Sequence, residues 1–526
     1  MKQDFAICLL IPLLMLGACR SEAVPGADSL RTPDQELSHG MIQLGEKLDD
    51  PFTVQNMQAA LAAVYPTKAG RTELRATDYY VRFLPKTEAQ LKLLQEKGLY
   101  LQDHPMDYRI VREGDYYQDP DVGDDAITWQ YAVVPRDFDF PSGIPYEMLD
   151  ECYLAEHDSP TRAGDINWDR VEEEAFRRTG NQALYMPPTR ADLPPQGRIT
   201  IEDPLFSGGK PFGVAGVMVV ANVFVRIATG YTDRDGYYQL NKSFSGNPRY
   251  RLVFENVKGF KIGFNFILIP ASVSTLGTGG PEGIDCLVNA GSDGALFRRC
   301  CVNNAAYDFY DRCTPEDLDI NTPPGDLRIW IFPDLSSSSA CMLHHGAFIK
   351  DNGILQKYLG AWLGLIQIFL PDITLGTKEQ DYAGIYSVTA HELAHASHFA
   401  QVGTAYWTPY INYVLQCFVT EGGSAYGSGS ADGANYCELG EMWGYFMQAS
   451  LYADRYGGIM PTYGSTYWFK PDILRYLYER GISRGELYRA LGPEVTTIED
   501  FKDKLISITP SSWEDIINQV FRTYGK

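Results

Sequence analysis

Ser387 to Gln401 reads SVTAHELAHASHFAQ, and within it His391-Glu392-Leu393-Ala394-His395 forms the pattern HExxH. On an α-helix, residues four apart lie one above the other on one face. His391 and His395 therefore reach one metal ion from the same side. Two neutral imidazoles suit tetrahedral Zn²⁺. Glu392, next to the first imidazole, is placed to take a proton from a metal-bound water. Asp381 is a good helix N-cap, and Gly403 stands where a helix should stop. No proline interrupts the stretch between them, and Ile385, Val388, Ala396 and Phe399 supply its apolar contacts. The plain alternative is a buried helix with two hydrogen-bonded histidines. It leaves several polar nitrogens in need of partners.

The motif resembles that of the zincin metallopeptidases. The resemblance covers a short part of the chain and implies zinc, a zinc-bound water, Glu392 as general base and peptide-bond hydrolysis. A third protein ligand is then needed. His398 shares the helical face, but seven residues separate it from His391, about 10 Å along the axis. One zinc with bonds of about 2 Å cannot hold both on a continuous helix. The metzincin subgroup breaks its helix with a glycine inside the motif. Here Ser397-His398-Phe399 has none, so His398 is expected in a supporting or cleft-wall position.

The gluzincin subgroup takes a glutamate from a later helix. Three positions compete: Glu421 in VTEGGSAYG, and Glu438 and Glu441 in NYCELGEMWGYFMQASLYADR. Glu441 is the expected ligand, because an unpaired carboxylate among Met442, Trp443 and Tyr445 is costly to bury. Glu438 lies nearer the helix start, where the dipole favours acids without any metal. Glu421 precedes Gly422-Gly423 and is equally at home in water. The family also uses a tyrosine or histidine to stabilise the oxyanion, and Tyr445, one turn beyond Glu441, is the candidate.

The chain has 526 residues, enough for about two to four domains. Its formal charge of −22 argues against a nucleic-acid partner, whose phosphates require Lys and Arg. Phe5 to Ala18 is uncharged and apolar but shorter than the ~20 residues of a membrane span. Leu16-Gly17-Ala18-Cys19 resembles the bacterial lipobox, although Asp4 beside Lys2 weakens the positive start. The resemblance implies cleavage before Cys19, a lipid on its sulfur and a membrane anchor. Arg20 in place of Asp favours the outer membrane or cell surface.

The expected organisation is multidomain α+β. Residues 1–18 form a lipoprotein signal peptide, 19–50 a tether, and 51–204 an N-terminal α+β accessory domain. In the accessory domain, 51–65 reads as a helix, 77–85 as a strand, 86–98 as an amphipathic helix and LYLQDHP as a further strand. Residues 106–204 carry no clear pattern. In 205–270, VAGVMVVANVFVRIATG, the TDRDGYYQL hairpin and RYRLVFENV resemble the carboxypeptidase regulatory-like, transthyretin-type β-sandwich. Asp233 and Asp235 there are weak Ca²⁺ candidates, better read as turn residues. Residues 271–526 form the expected zincin domain. LRIWIF (327–332) is its clearest strand, and SSSSACMLHHGAF follows, which the zincin resemblance implies is a substrate-binding edge, with His344 or His345 able to reach the cleft. GAWLGLIQIFLPDITLG is expected as a buried helix followed by a strand. Apart from Cys8 and Cys19, eight of the ten cysteines remain, and Cys417 and Cys437, which flank the region of the third ligand, are expected either to pair or to stand as free buried thiols.

The leading expectation is a membrane-anchored zinc peptidase acting on a peptide or protein. The alternative is a surface binding lipoprotein for a glycan or host protein, with a structural or vestigial zinc site. An intact Glu392 argues for the enzyme, since a structural site needs no base.

Overall fold

The computed structural model describes residues 41–69, 72–123, 126–158, 166–187, 193–263, 271–346, 370–420 and 426–526, and the backbone of 19–20. The fold is mixed α+β with several sheets. Residues 1–18, expected as a signal peptide, residues 21–40 of the expected tether, and residues 347–369, which take in most of the helix expected in GAWLGLIQIFLPDITLG, lie outside the described residues.

The N-terminal unit begins with β1 (Gln43–Lys47), α1 (Val54–Val64), β2 (Asp78–Phe83) and α2 (Glu88–Glu96). It continues with β3 (Tyr108–Arg112), β4 (Gln130–Pro135), β5 (Tyr146–Cys152) and α3 (Trp168–Arg178). Thr53 and Thr87 cap α1 and α2 by accepting from the backbone N–H of Asn56 and Gln90. Met57 and Leu61 of α1 pack against Val171 and Ala175 of α3. β2 is the middle strand of a sheet with β4 and β5, and β1 pairs with β3. The expected strand at LYLQDHP is reduced to one bridge, Gln102 to Tyr131. The patternless stretch 106–204 supplies four strands, β3, β4, β5 and the later Gln196–Ile201, and the helix α3. Its β5 leaves Tyr146 and Met148 exposed, so the alternation that marks a half-buried strand is missing.

Two β layers follow. Their strands are β6 (Gln196–Ile201), β7 (Phe212–Gly213), β8 (Val217–Val223), β9 (Arg226–Tyr231) and β10 (Tyr237–Gln239). Then come β11 (Arg249–Asn256), β12 (Lys261–Gly263), β13 (Val273–Thr278) and β14 (Cys286–Val288). Helix α4 (Gly294–Arg312) leads to β15 (Arg328–Phe332), the two-residue β16 (Ser337–Ser338) and β17 (Ile373–Gly376). The larger sheet runs β9-β8-β11-β12-β15-β17, with β13 also on β11. The smaller runs β10-β6-β14, with β7 on β6.

This topology crosses both boundaries expected for the β unit at 205 and 270. β10 pairs with β6, which precedes 205, and β11 pairs with β13, which follows 270. β12 then lies parallel to β15, joining the β unit to the region of the HExxH helix through one sheet. The TDRDGYYQL hairpin is also corrected. The turn is present, with Asp233 Oδ1 accepting from the N–H of Asp235 and Tyr237. The strands it connects lie in different sheets, so the turn is a crossover. Asp233 is spent on that turn.

Helix α5 (Tyr382–Thr420) is interrupted at Gly403, whose φ of 76° and ψ of 177° are non-helical. Asp381 caps its start by accepting from the N–H of Gly384. Every residue from Ala383 to His395 except Gly384 is buried, as expected for a helix in the middle of a core. Helix α6 (Ala434–Tyr456) lies along it. Four shorter helices close the chain: α7 (Asp472–Glu479), α8 (Arg484–Arg489), α9 (Ile498–Ile508) and α10 (Glu514–Thr523). Among the described residues, no helix is long and apolar enough to cross a membrane, and no disulfide forms, Cys417 to Cys437 included.

Candidate metal centre

The two helices bring three donors together. His391 and His395 stand on one face of α5, and Glu441 reaches them from the second turn of α6. The separations are 3.0 Å between the two Nε2 atoms, 3.5 Å from His391 Nε2 to Glu441 Oε2 and 3.8 Å from His395 Nε2 to Glu441 Oε1. Tetrahedral ligands at about 2.05 Å from one ion stand about 3.3 Å from one another, so the set has the right dimensions for Zn²⁺. All three side chains and Glu392 are at most 1 % exposed.

The protonation states agree with that fit. Burial drives His395 down to about 3, against the pull of Glu441. Burial alone would push Glu441 up. His395, His391 and Tyr410 outweigh it and hold the carboxyl below its ordinary value. A neutral imidazole and an ionised carboxylate are the forms that bind a divalent cation.

Three residues that the sequence did not single out shape the centre. Gln448 Oε1 accepts from His391 Nδ1 at 3.0 Å, and its Nε2 donates to Ser387 Oγ at 3.0 Å. This fixes the tautomer that leaves His391 Nε2 with its lone pair toward Glu441. Tyr410, beyond the break at Gly403, donates to Glu441 Oε1 at 2.5 Å. Gly444 removes the side chain that would separate the helices. A Cβ there would stand 2.8 Å from His391 Nε2. Gln448 lies seven residues after Glu441, two turns along the same face. Gly444 is a glycine inside a helix that costs about 1 kcal/mol relative to Ala. Both were visible signals. Tyr410 had none, because its reach depends on the break in α5.

The other candidates separate cleanly. Glu438 pairs with Lys526. Glu421 lies outside the described residues. His398 turns away: its Nε2 donates to Leu491 O at 3.2 Å, and burial lowers it to about 4. Tyr445 packs its ring edge-on against His391, centroids 4.5 Å apart, and its hydroxyl lies 3.1 Å from that of Tyr426. His344 and His345 stay outside the centre. His345 bridges Asp372 and Gly325 O, and His344 faces Asp326. A second cluster of Glu88, Asp326 and His344 is already neutralised, since Arg328 pairs with Glu88 and Lys261 with Asp326.

Glu392 faces the segment after β16. Burial raises the Cys341 thiol to about 11, and the charge of Glu392 adds to the rise. Trp407 Nε1 donates to Ala340 O at 3.1 Å, tying this segment to the far half of α5. The segment is paired on both sides: Ser339 bridges antiparallel to Thr374 of β17, and Ser337–Ser338 pair with the backbone of Cys19–Arg20. Neither the protein-family models nor the curated protein sequences yield a match to this chain.

Proposed function

We propose that this chain is a zinc-dependent peptidase, held at a membrane surface by a lipid on Cys19, that hydrolyses peptide bonds with Glu392 as general base. The observation that carries the reading is the convergence of His391, His395 and Glu441 beside Glu392. Zinc bound there supplies Lewis acidity, which makes water nucleophilic at neutral pH and polarises a carbonyl. Glu392 takes the proton of the attacking water and returns it to the leaving amine. Gln448 and Tyr410 hold the donors in place. An extended peptide is the proposed substrate form: Ser337–Ser338 pair with the extended backbone of Cys19–Arg20, which a substrate strand would replace. Tyr445 supports the wall behind His391, and its hydroxyl is the candidate oxyanion donor.

The test is Glu392→Gln in the purified protein. Zinc content should stay at the wild-type level while cleavage of a mixed peptide library falls by about 10²-fold or more. Full cleavage by this variant rejects the mechanism.

The near-complete burial of all four side chains favours one second reading, a surface binding lipoprotein in which zinc is structural. Bound zinc with no cleavage of any peptide, together with tight binding of a glycan or protein ligand, decides for it.

A further inference from the structure

Along β11, Tyr250, Leu252 and Phe254 belong to the main core, whereas Val253 packs with Val220 and Ala271 in a separate cluster against Tyr100. Arg249, Arg251, Val253 and Glu255 therefore project from the opposite face, toward the N-terminal unit. Between that face and the N-terminal unit lies a cavity of about 350 Å³. Met218, Val253 and Val273 line it from the sheet, and Leu99 and Tyr100 from the other side.

Arg251 opens into this cavity and is 1 % exposed. Its guanidinium makes one hydrogen bond among the described residues, from Nη2 to Asn222 Oδ1 at 2.9 Å. Its buried Nε has no acceptor among the described residues. Among the described residues no carboxylate contacts the Arg251 guanidinium, and Asp103 and Glu113 act on it only at longer range. Glu113 pairs with Arg249, Asp115 with Arg299, Glu255 with Lys261, and Asp103 with His104 and the Tyr117 N–H. Burial accordingly lowers the Arg251 pKa. A buried cation with no counter-charge in contact with it is costly. The cavity in front of it has room for the missing anion.

We infer that this cavity binds a small carboxylate with an apolar body, its carboxylate on Arg251 and its body against Met218, Val253, Val273 and Leu99. One guanidinium suits a singly charged, planar acceptor that takes two parallel N–H bonds. The lining is mixed, with Asp103, Asp115 and Glu255 on it as well, and its apolar patch of Met218, Val253, Val273 and Leu99 favours an anion with an apolar body over a bare inorganic ion. The site stands apart from the metal centre and is formed jointly by the N-terminal unit and the sheet that continues to β15.

Hexanoate and N-acetyl-leucine, titrated calorimetrically into the full chain, test the inference, with hexan-1-ol and inorganic phosphate as controls. At least one of the two acids should bind saturably, and neither control should. Arg251→Met should weaken that binding about tenfold or more without lowering the melting temperature, because it removes an uncompensated buried charge. Thr275 stands directly across from Arg251 on β13, and Thr275→Glu supplies an internal carboxylate. It should raise the melting temperature and block the acid. If Arg251→Met does not fold, Thr275→Glu decides alone. The inference is overturned if neither acid binds, if hexan-1-ol or phosphate binds as well, or if the variant tested keeps wild-type affinity. Binding of N-acetyl-leucine alone identifies a peptide C-terminus as the source of the carboxylate. Binding of hexanoate alone identifies a free alkanoic acid.

Discussion

Gly444 and His391 approach so closely that a methyl group between them would overlap the imidazole: a Cβ on Gly444 stands 2.8 Å from Nε2. The same atom would lie 2.9 Å from His395 Cε1. The absence of a side chain at 444 is what lets α6 present Glu441 to both histidines.

Gly444→Ala is therefore expected to destabilise the fold by about 1–3 kcal/mol through overpacking and to weaken zinc binding. At an ordinary helix interior the same change stabilises by about 1 kcal/mol, so the sign is informative. Thermal melts and zinc content measure both effects. A more stable variant with full zinc affinity rejects the close packing.

The third ligand is tested by changing Glu441, Glu438 and Glu421 separately to Ala. Glu441→Ala should lose zinc from folded protein. Glu438→Ala should keep it and lose only the ion pair with Lys526. Glu421→Ala should keep it as well. Loss of zinc from either of the latter, with full affinity in Glu441→Ala, moves the ligand.

Asp50 provides a pH-dependent prediction away from the centre. Burial raises its pKa from 3.8 to about 8, opposed by the Phe52 N–H and reinforced by Asp107, Asp150 and Asp49. The folded state thus binds a proton that the unfolded chain releases near 3.8. This contribution is fully present below about pH 3.8 and is lost as pH rises through about 8. Asp50→Asn keeps the acceptor for the Phe52 N–H and never ionises. It should stabilise the protein by on the order of 2–4 kcal/mol at pH 7, and hardly at all at pH 4. Equal melting temperatures of the two proteins at pH 7 and pH 8 refute this.

Cys19→Ser tests the membrane anchor. A thioether-linked lipid needs the sulfur, so the variant should move from the membrane fraction to the soluble fraction. Sedimentation of the Ser variant with membranes argues against the lipid on Cys19.

His391, Glu392 and His395 were legible because helical periodicity is local: four residues return the chain to the same face whatever surrounds it. The N-cap at Asp381 and the break at Gly403 were legible for the same reason, as were α1, β2 and α2. Local turn chemistry likewise specified the bend at Asp233. It carried no information on pairing partners, so the expected hairpin is a crossover between sheets. The boundaries at 205 and 270 failed similarly, since hydrogen bonds such as those joining β12 to β15 link residues far apart in sequence.

By itself the sequence determined that two imidazoles and a carboxylate share one helix, and narrowed the third donor to three glutamates. Only the tertiary structure chose among those described. It set Glu438 against Lys526 and Glu441 against the histidines, and it added Gln448, Tyr410 and Gly444. The physical reason is that a ligand set depends on atoms about 3–4 Å apart. Spacing along a helix sets such distances within one element, whereas packing of α5 on α6 sets them between elements.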